Sequence, residues 1–220
     1  KTYYKNRLPH LAPVGATFFV TFRLADSLPQ TIVRAMREAM EARKQELKQD
    51  KKHYKKRLYD EYKRYYAKYD HQLDDKPYGE CYLRRPEIAR IVANKLHEFD
   101  GDFYDLHAYC ITPNHVHLLI DTMQQLLLPD YTIPDEIPED YVQLDKIMKR
   151  IKGGSARLAN LALGRSETFW QKDSYDHFVR DEQEWLNIIA YILNNPVKAG
   201  LVDHWEDWPF TYVKANLFAN

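Results

Sequence analysis

The stretch from Phe103 to Thr122 constrains the fold most. "FYDLHAYCIT" (Phe103–Thr112) and "HVHLLIDT" (His115–Thr122) are two apolar runs separated only by Pro113–Asn114. Runs of this length and composition read as strands, and a Pro-Asn pair reads as a tight turn. Strands this close in sequence pair as a hairpin, and the rest of the chain must pack around it. On a strand, residues i and i+2 share a face roughly 7 Å apart. Val116, Leu118 and Ile120 therefore point into the core, while His115 and His117 share the opposite face. Two imidazoles at that spacing can converge on one divalent ion. Structural histidines satisfied by hydrogen bonds are the alternative, and spacing alone leaves both open. His-x-His also occurs in barrel hydrolases, but those need about 250 residues and a repeated βα rhythm. No such rhythm is visible here.

The flanking segments supply the remaining elements. "ATFFVTFRLA" (Ala16–Ala25) has strand composition. A helix follows, with Asp26 or Ser27 as its cap, Pro29 in its first turn, and Ile32, Val33, Met36 and Met40 at helical spacing. From Arg43 to Tyr69 basic residues outnumber acidic ones, and Leu58, Tyr62, Tyr65 and Tyr69 form a narrow seam. That segment is either a solvated helix packing one stripe on the body or a basic, aromatic arm for nucleic acid. "DDKPYGE" breaks it. "RRPEIARIVANKLHEF" restarts a helix with Ile88, Ile91, Val92 and Leu96 on one face. After a proline-broken loop, "DYVQLDKIMKRIKGGSARLANLAL" is a basic helix interrupted at Gly153–Gly154. A fourth strand is expected around Phe169–Tyr175. A last helix ends before Pro196, because proline disfavours the helical conformation of the residue preceding it. An aromatic tail, "DWPFTYVKANL", docks on the body.

The order β-α-β-β-α-β, then α, predicts an α+β chain. The expected architecture is a ferredoxin-like antiparallel sheet in one domain over 1–220, with a helical insertion at about 43–78 and a C-terminal helix. The chain has 220 residues, 45% of them hydrophobic, and a formal net charge of +0. That balance excludes a globally basic nucleic-acid binder, so any such surface is a local patch. Cys81 and Cys110 are too few for a disulfide framework and fit a reducing cytosol. No apolar run is long enough for a membrane-spanning helix.

"YCITPNHVHLLI" resembles the HUH motif (His, hydrophobic, His) of the single-tyrosine HUH transposases, and within them the REP-associated tyrosine transposase group. "LPHLAPVGATFFVTFRLADSLP", "MKRIKGGSARLAN" and "FWQKDSYDHFVRDEQEWLNIIAYILNNPVKAGLV" extend the similarity over most of the chain. The resemblance implies metal-dependent cleavage and rejoining of single-stranded DNA through a 5′-phosphotyrosine, in a prokaryotic cytoplasm at the nucleoid. The implied partner is single-stranded DNA carrying imperfect, REP-like hairpins, bound by a monomer or a homodimer. A protein that kept the fold as a catalytically inactive DNA binder is the alternative.

Of 17 tyrosines, the match of "AYILNNPVKAG" points to Tyr191 as nucleophile, with Asn195 completing a metal shell begun by His115 and His117. Tyr191 and Asn195 lie about 40° apart on a flank of the apolar face made by Trp185, Ile188, Ile189 and Ile192. Tyr175, beside His177, is the second candidate. Family members often carry Gln where this chain has Asn195. Nitrogen and oxygen ligands with open water positions suit Mg²⁺ or Mn²⁺. Lys146, Lys149, Arg150, Lys152 and Arg157 form a local basic helix for phosphate contact, with Gly153–Gly154 allowing close backbone approach. Arg23, Arg7 and His10 are further DNA candidates. Tyr109, Phe169, Trp170 and Tyr175 are candidate stacking platforms.

Overall fold

Alternation along three strands builds the molecule. The computed structural model describes residues 3–5, 9–75, 78–127, 132, 136–215 and 217. Its elements are β1 (Tyr3–Lys5), β2 (Pro9–Leu11), β3 (Thr17–Arg23), α1 (Gln30–Leu47), α2 (Tyr54–Asp75), α3 (Pro86–His97), β4 (Asp105–Ile111), β5 (His115–Asp121), α4 (Leu144–Leu163), β6 (Tyr175–Phe178), α5 (Glu182–Lys198) and β7 (Thr211–Val213). Arg7 lies outside the described residues, as does the side chain of His10.

Five strands form an antiparallel sheet in the order β6-β3-β5-β4-β7. Its first four strands have the ferredoxin-like order, and the aromatic tail adds β7 to the β4 edge. β1 and β2 form a separate two-stranded ribbon. The two faces of the sheet carry different cores. Phe18, Val20, Phe22, Val116, Leu118 and Ile120 join residues of α3 and α4 in the larger cluster. Phe19, Ala108, Cys110 and Leu119 meet Ile189 and Ile192 of α5 on the other. Full burial of each such isoleucine contributes on the order of 1.5–3 kcal/mol. The histidine face is therefore not bare of core. It has a smaller apolar cluster of its own, with the polar site set into it.

Several local expectations change. Neither Asp26 nor Ser27 caps α1; Pro29 holds that position without a side-chain cap. Ser27 is buried, donating to the Leu24 carbonyl and accepting from Arg23, and Asp26 accepts from the Glu80 N–H. α1 runs on to Leu47 because Val33, Met40 and Leu47 continue one buried stripe. The inserted feature is thus a helical hairpin, α1 with α2, over 30–75. α4 passes through Gly153–Gly154 without interruption. A Cβ on Gly154 would lie 2.8 Å from Lys95 Cε, so that glycine serves close helix packing instead. β6 begins only at Tyr175. Phe169 and Trp170 turn into the larger core, where the Trp170 indole donates to Ser155 Oγ at 2.9 Å. α5 continues past Pro196 to Lys198. The proline lies in the last turn, where one forfeited N–H breaks little of the ladder, and Asn195 still accepts from the Ala199 N–H.

Candidate active site

β5 aims His115 and His117 at α5 and α2, and their neighbours fix how the rings are held. Asn114 donates its amide nitrogen to the Leu73 carbonyl, so its Oδ1 faces His115 Nδ1 at 2.7 Å. That oxygen can only accept, which places the His115 proton on Nδ1 and leaves the Nε2 lone pair bare. Thr112 Oγ1 also lies 2.8 Å from this Nδ1 and donates to the His115 carbonyl. The Thr-Pro-Asn turn is therefore part of the site, since it sets the tautomer. His117 Nδ1 lies 2.9 Å from Thr21 Oγ1, its register partner on β3. Both Nε2 atoms then meet at 2.9 Å.

A third group arrives from the inserted hairpin. Asp74 Oδ1 sits 3.5 Å from His115 Nε2, and Asp74, His115 and His117 form a set able to hold a metal ion. Burial drives the His115 pKa down to about 4 and that of His117 well below its usual value, with its neighbour His115 adding to the effect. Neutral imidazoles are the metal-ligating form. Among the described residues, Asp74 Oδ1 and both amide atoms of Asn195 are buried with no hydrogen-bond partner. Buried orphan acceptors are costly. Two neutral imidazoles and a carboxylate whose ligand atoms lie within 4.8 Å of one another fit a divalent cation.

The nucleophile candidate is positioned by α5. Asp181 caps this helix by accepting from the Glu184 N–H at 2.8 Å, and Glu184 reaches back to the Arg180 N–H. The Tyr191 hydroxyl lies 3.5 Å from His117 Nε2 and donates to Asp70 Oδ2 at 3.3 Å. Its ring packs edge-on to Phe19, which stacks on His117. Burial raises the phenol pKa, with Asp70 and Asp74 adding to the rise. Asp70 is itself pushed up to about 7, first by burial and then by Asp74. Lys198 opposes this negative charge, pairing with Asp74 at 2.7 Å and lying over the Tyr191 ring. Tyr175 does not reach the histidines. It stacks on Tyr66 at 3.6 Å between ring centroids.

The basic, tyrosine-rich segment is neither a free arm nor merely a solvated stripe. α2 lies across the histidine face, tied by Tyr59 to His177, Lys63 to Glu184 and Lys198 to Asp74. It buries Tyr66, Asp70 and Leu73. Sequence reading missed Asp70 and Asp74. Their only signal was an i, i+4 carboxylate pair where the tyrosine seam ends.

The basic candidates separate. Lys146, Lys149, Arg150 and Arg157 are exposed on α4, which packs on the sheet face opposite the histidines. Lys152 is turned inward: its ammonium donates to the Gln171 and Lys172 carbonyls and to Ser174 Oγ, and burial lowers its pKa to about 8. Arg23 is buried beside the site, opposite His115 in the β3–β5 register. Among the stacking candidates, Phe169 and Trp170 are core residues.

An α+β sheet with a buried His-x-His pair facing a helix-borne tyrosine is the arrangement that the HUH resemblance implies. No known family profile matches the chain. It is similar to a Haemophilus influenzae protein carrying the provisional name REP-associated tyrosine transposase, 29% identical over 119 residues, covering 52% of this chain and 64% of that protein. It is also similar to the REP-associated tyrosine transposase of Escherichia coli K12, 25% identical over 108 residues, covering 49% and 53% respectively. An uncharacterised H. influenzae protein is 33% identical over 97 residues, covering 40% and 52%. The chain thus spans between about half and just under two thirds of these relatives' lengths. A solved REP-associated tyrosine transposase bound to a REP hairpin aligns with a TM-score of 0.48 at 15% identity, over 94% of this chain and 82% of that one. The relatives agree with the resemblance read from the sequence: this chain is similar to REP-associated tyrosine transposases. Among the described residues, no helix is long and apolar enough to cross a membrane.

Proposed function

We propose that the chain is a single-strand DNA endonuclease and strand transferase, with Tyr191 as nucleophile, acting at hairpin-bearing ends. The observation that carries this reading is the Tyr191 hydroxyl 3.5 Å from His117 Nε2, inside a buried cluster that also holds His115 and Asp74. His115, His117 and Asp74 would hold a divalent ion, Mg²⁺ or Mn²⁺, with the orphaned Asn195 amide as a further ligand. When bound, such an ion polarises the scissile phosphate and offsets charge on its non-bridging oxygens.

The chain's own residues account for the rest. A phenol is a weak nucleophile near neutral pH. Asp70 Oδ2 already accepts the Tyr191 hydrogen and is the group that takes the proton as Oη attacks phosphorus. The new bond is Tyr191 Oη–P, and the bond broken is P–O3′. The departing 3′ oxygen takes a proton from water, leaving a 5′-phosphotyrosine and a free 3′-OH. The phosphodiester energy stays in the tyrosyl link, so the reverse attack rejoins strands without ATP. Lys198 favours the developing phenolate, and Phe19 with His117 fixes the ring. α2 buries Asp70 beside the buried histidine pair, and hydrogen bonds among buried groups are stronger than in bulk water.

The test is incubation with Mn²⁺ and a labelled single strand bearing an imperfect hairpin, followed by denaturing electrophoresis. A protein–DNA adduct is expected, lost in Tyr191→Phe while binding persists. An adduct that survives this substitution assigns the nucleophile elsewhere. Binding with no adduct favours a non-catalytic DNA-binding protein.

A further inference from the structure

Next to the histidine pair, the inserted hairpin and the sheet enclose a cavity of about 360 Å³. That lies within the size range of small-molecule sites. Its walls are unusual in composition: Tyr62, Tyr65, Tyr66 and Tyr69 of α2 and Tyr175 of β6 all line it. Tyr65 stacks on Tyr69, and Tyr66 on Tyr175, so flat ring surfaces already stand in parallel pairs. The cavity is also contiguous with the chemistry. Thr21 in its floor holds His117 Nδ1, and Asp70 in its wall accepts from Tyr191.

A second observation concerns charge. Arg23 lines this cavity and is only 4% exposed. Its guanidinium donates from Nε to the Tyr69 hydroxyl and from Nη1 to the Leu24 carbonyl and Ser27 Oγ. These are neutral acceptors. Among the described residues, no carboxylate forms an ion pair with it, and no hydrogen bond is made by Nη2. A buried cation without a counter-ion is costly, and a guanidinium fork matches a phosphate. Arg37 adds a cation to the same lining, which also carries the carboxylates of Glu41, Asp70 and Asp173.

Resting on the single-strand DNA reading above, we infer that this cavity seats the nucleotide next to the scissile phosphate, its base on the tyrosine walls and its phosphate on Arg23. Stacking on tyrosine is indifferent to base identity because every base has a π-face. The pocket therefore holds a splayed-out nucleotide in place without specifying its sequence. The insertion then has two roles, since α2 brings carboxylates to the reacting atoms and a stacking wall to the base beside them.

The test compares two hairpin-bearing strands of equal length and charge, one with a thymidine foot and one with an abasic foot. Binding is measured in EDTA by fluorescence anisotropy. The thymidine foot should bind about 5- to 100-fold more tightly, the range expected for stacking one base. Tyr65→Ala should erase that preference, and Tyr65→Phe, which keeps the ring, should retain it. Arg23→Gln should weaken both strands alike. Equal binding of the two feet by the native chain overturns the inference, as does a preference unchanged in Tyr65→Ala; the adduct assay then stands unaffected. Failure to bind either strand, with no adduct, overturns the DNA reading and this subsite together.

Discussion

Asp70 is an ionisable group in a place that penalises its charge. Its side chain is buried, and its pKa stands at about 7 against an ordinary 3.8. A carboxyl raised in the folded state binds its proton more tightly there than in the unfolded chain. Its contribution to stability is fully present below pH 3.8 and is lost as pH rises through about 7. From 3.8 to about 7, at about 1.4 kcal/mol per pH unit, the ceiling on that loss is roughly 4 kcal/mol. Relaxation and water penetration around the ionised group reduce it, and about 2 kcal/mol is the expected loss. Asp70→Asn keeps an acceptor for the Tyr191 hydroxyl and cannot ionise. In EDTA at pH 8 it should therefore be more stable than the native chain by about 2 kcal/mol, about 4–8 °C in Tm for a chain of this size. At pH 4 the two should coincide. Urea melts across pH 4–8.5 measure this directly. A variant no more stable at pH 8 than at pH 4, relative to the native chain, would show that Asp70 is not held in the environment described. The same variant should lose adduct formation, because an amide takes no proton from the phenol.

Other consequences are separable. Asp74→Ala should weaken Mn²⁺ binding at least tenfold by isothermal titration, and unchanged affinity would remove Asp74 from the ligand set. The depressed histidines work in the opposite sense to Asp70. Their neutral forms support the fold above pH 6.5, and that support is lost as pH falls to about 4, so metal-free protein should lose on the order of 3 kcal/mol over that window. His115→Gln should flatten the loss, as read from urea midpoints. Lys152→Met leaves the Gln171 and Lys172 carbonyls without their donor. It should cost about 1–3 kcal/mol in stability and leave the salt dependence of DNA binding unchanged. A reduced salt slope would return Lys152 to the DNA surface.

Local patterns carried much of the fold. Alternation in β3 and β5 and the Pro-Asn turn determine which side chains share a face, because strand geometry ties face to sequence parity, whereas in β4 a bulge between Leu106 and Ala108 resets it. The shared face of His115 and His117 was legible for that reason, the flank position of Tyr191 from the helical repeat of α5, and the ferredoxin-like order from the succession of elements. Propensity failed where burial overrode it. Gly153–Gly154 stays helical, with Gly154 packed under Lys95, Pro196 sits inside the last turn of α5, and Ser27 serves Arg23 instead of capping α1. Charge patterning is silent on placement, since a basic run cannot say which layer it will occupy. α4 carries its lysines on the far side of the sheet, and Lys152 is spent on a loop. The carboxylates beside the histidines were out of reach for a different reason. Asp70 meets a tyrosine 121 positions away, and Asp74 a histidine 41 away. No periodicity links such residues, and they meet only because the apolar and tyrosine seam of α2 packs across the sheet. The sequence alone determined the histidine strand and the helix that faces it. Tertiary packing decided what completes the site: an inserted helix, read locally as a solvated helix packing one stripe on the body or as nucleic-acid-facing, closes over the histidine pair and brings Asp70 and Asp74 with it.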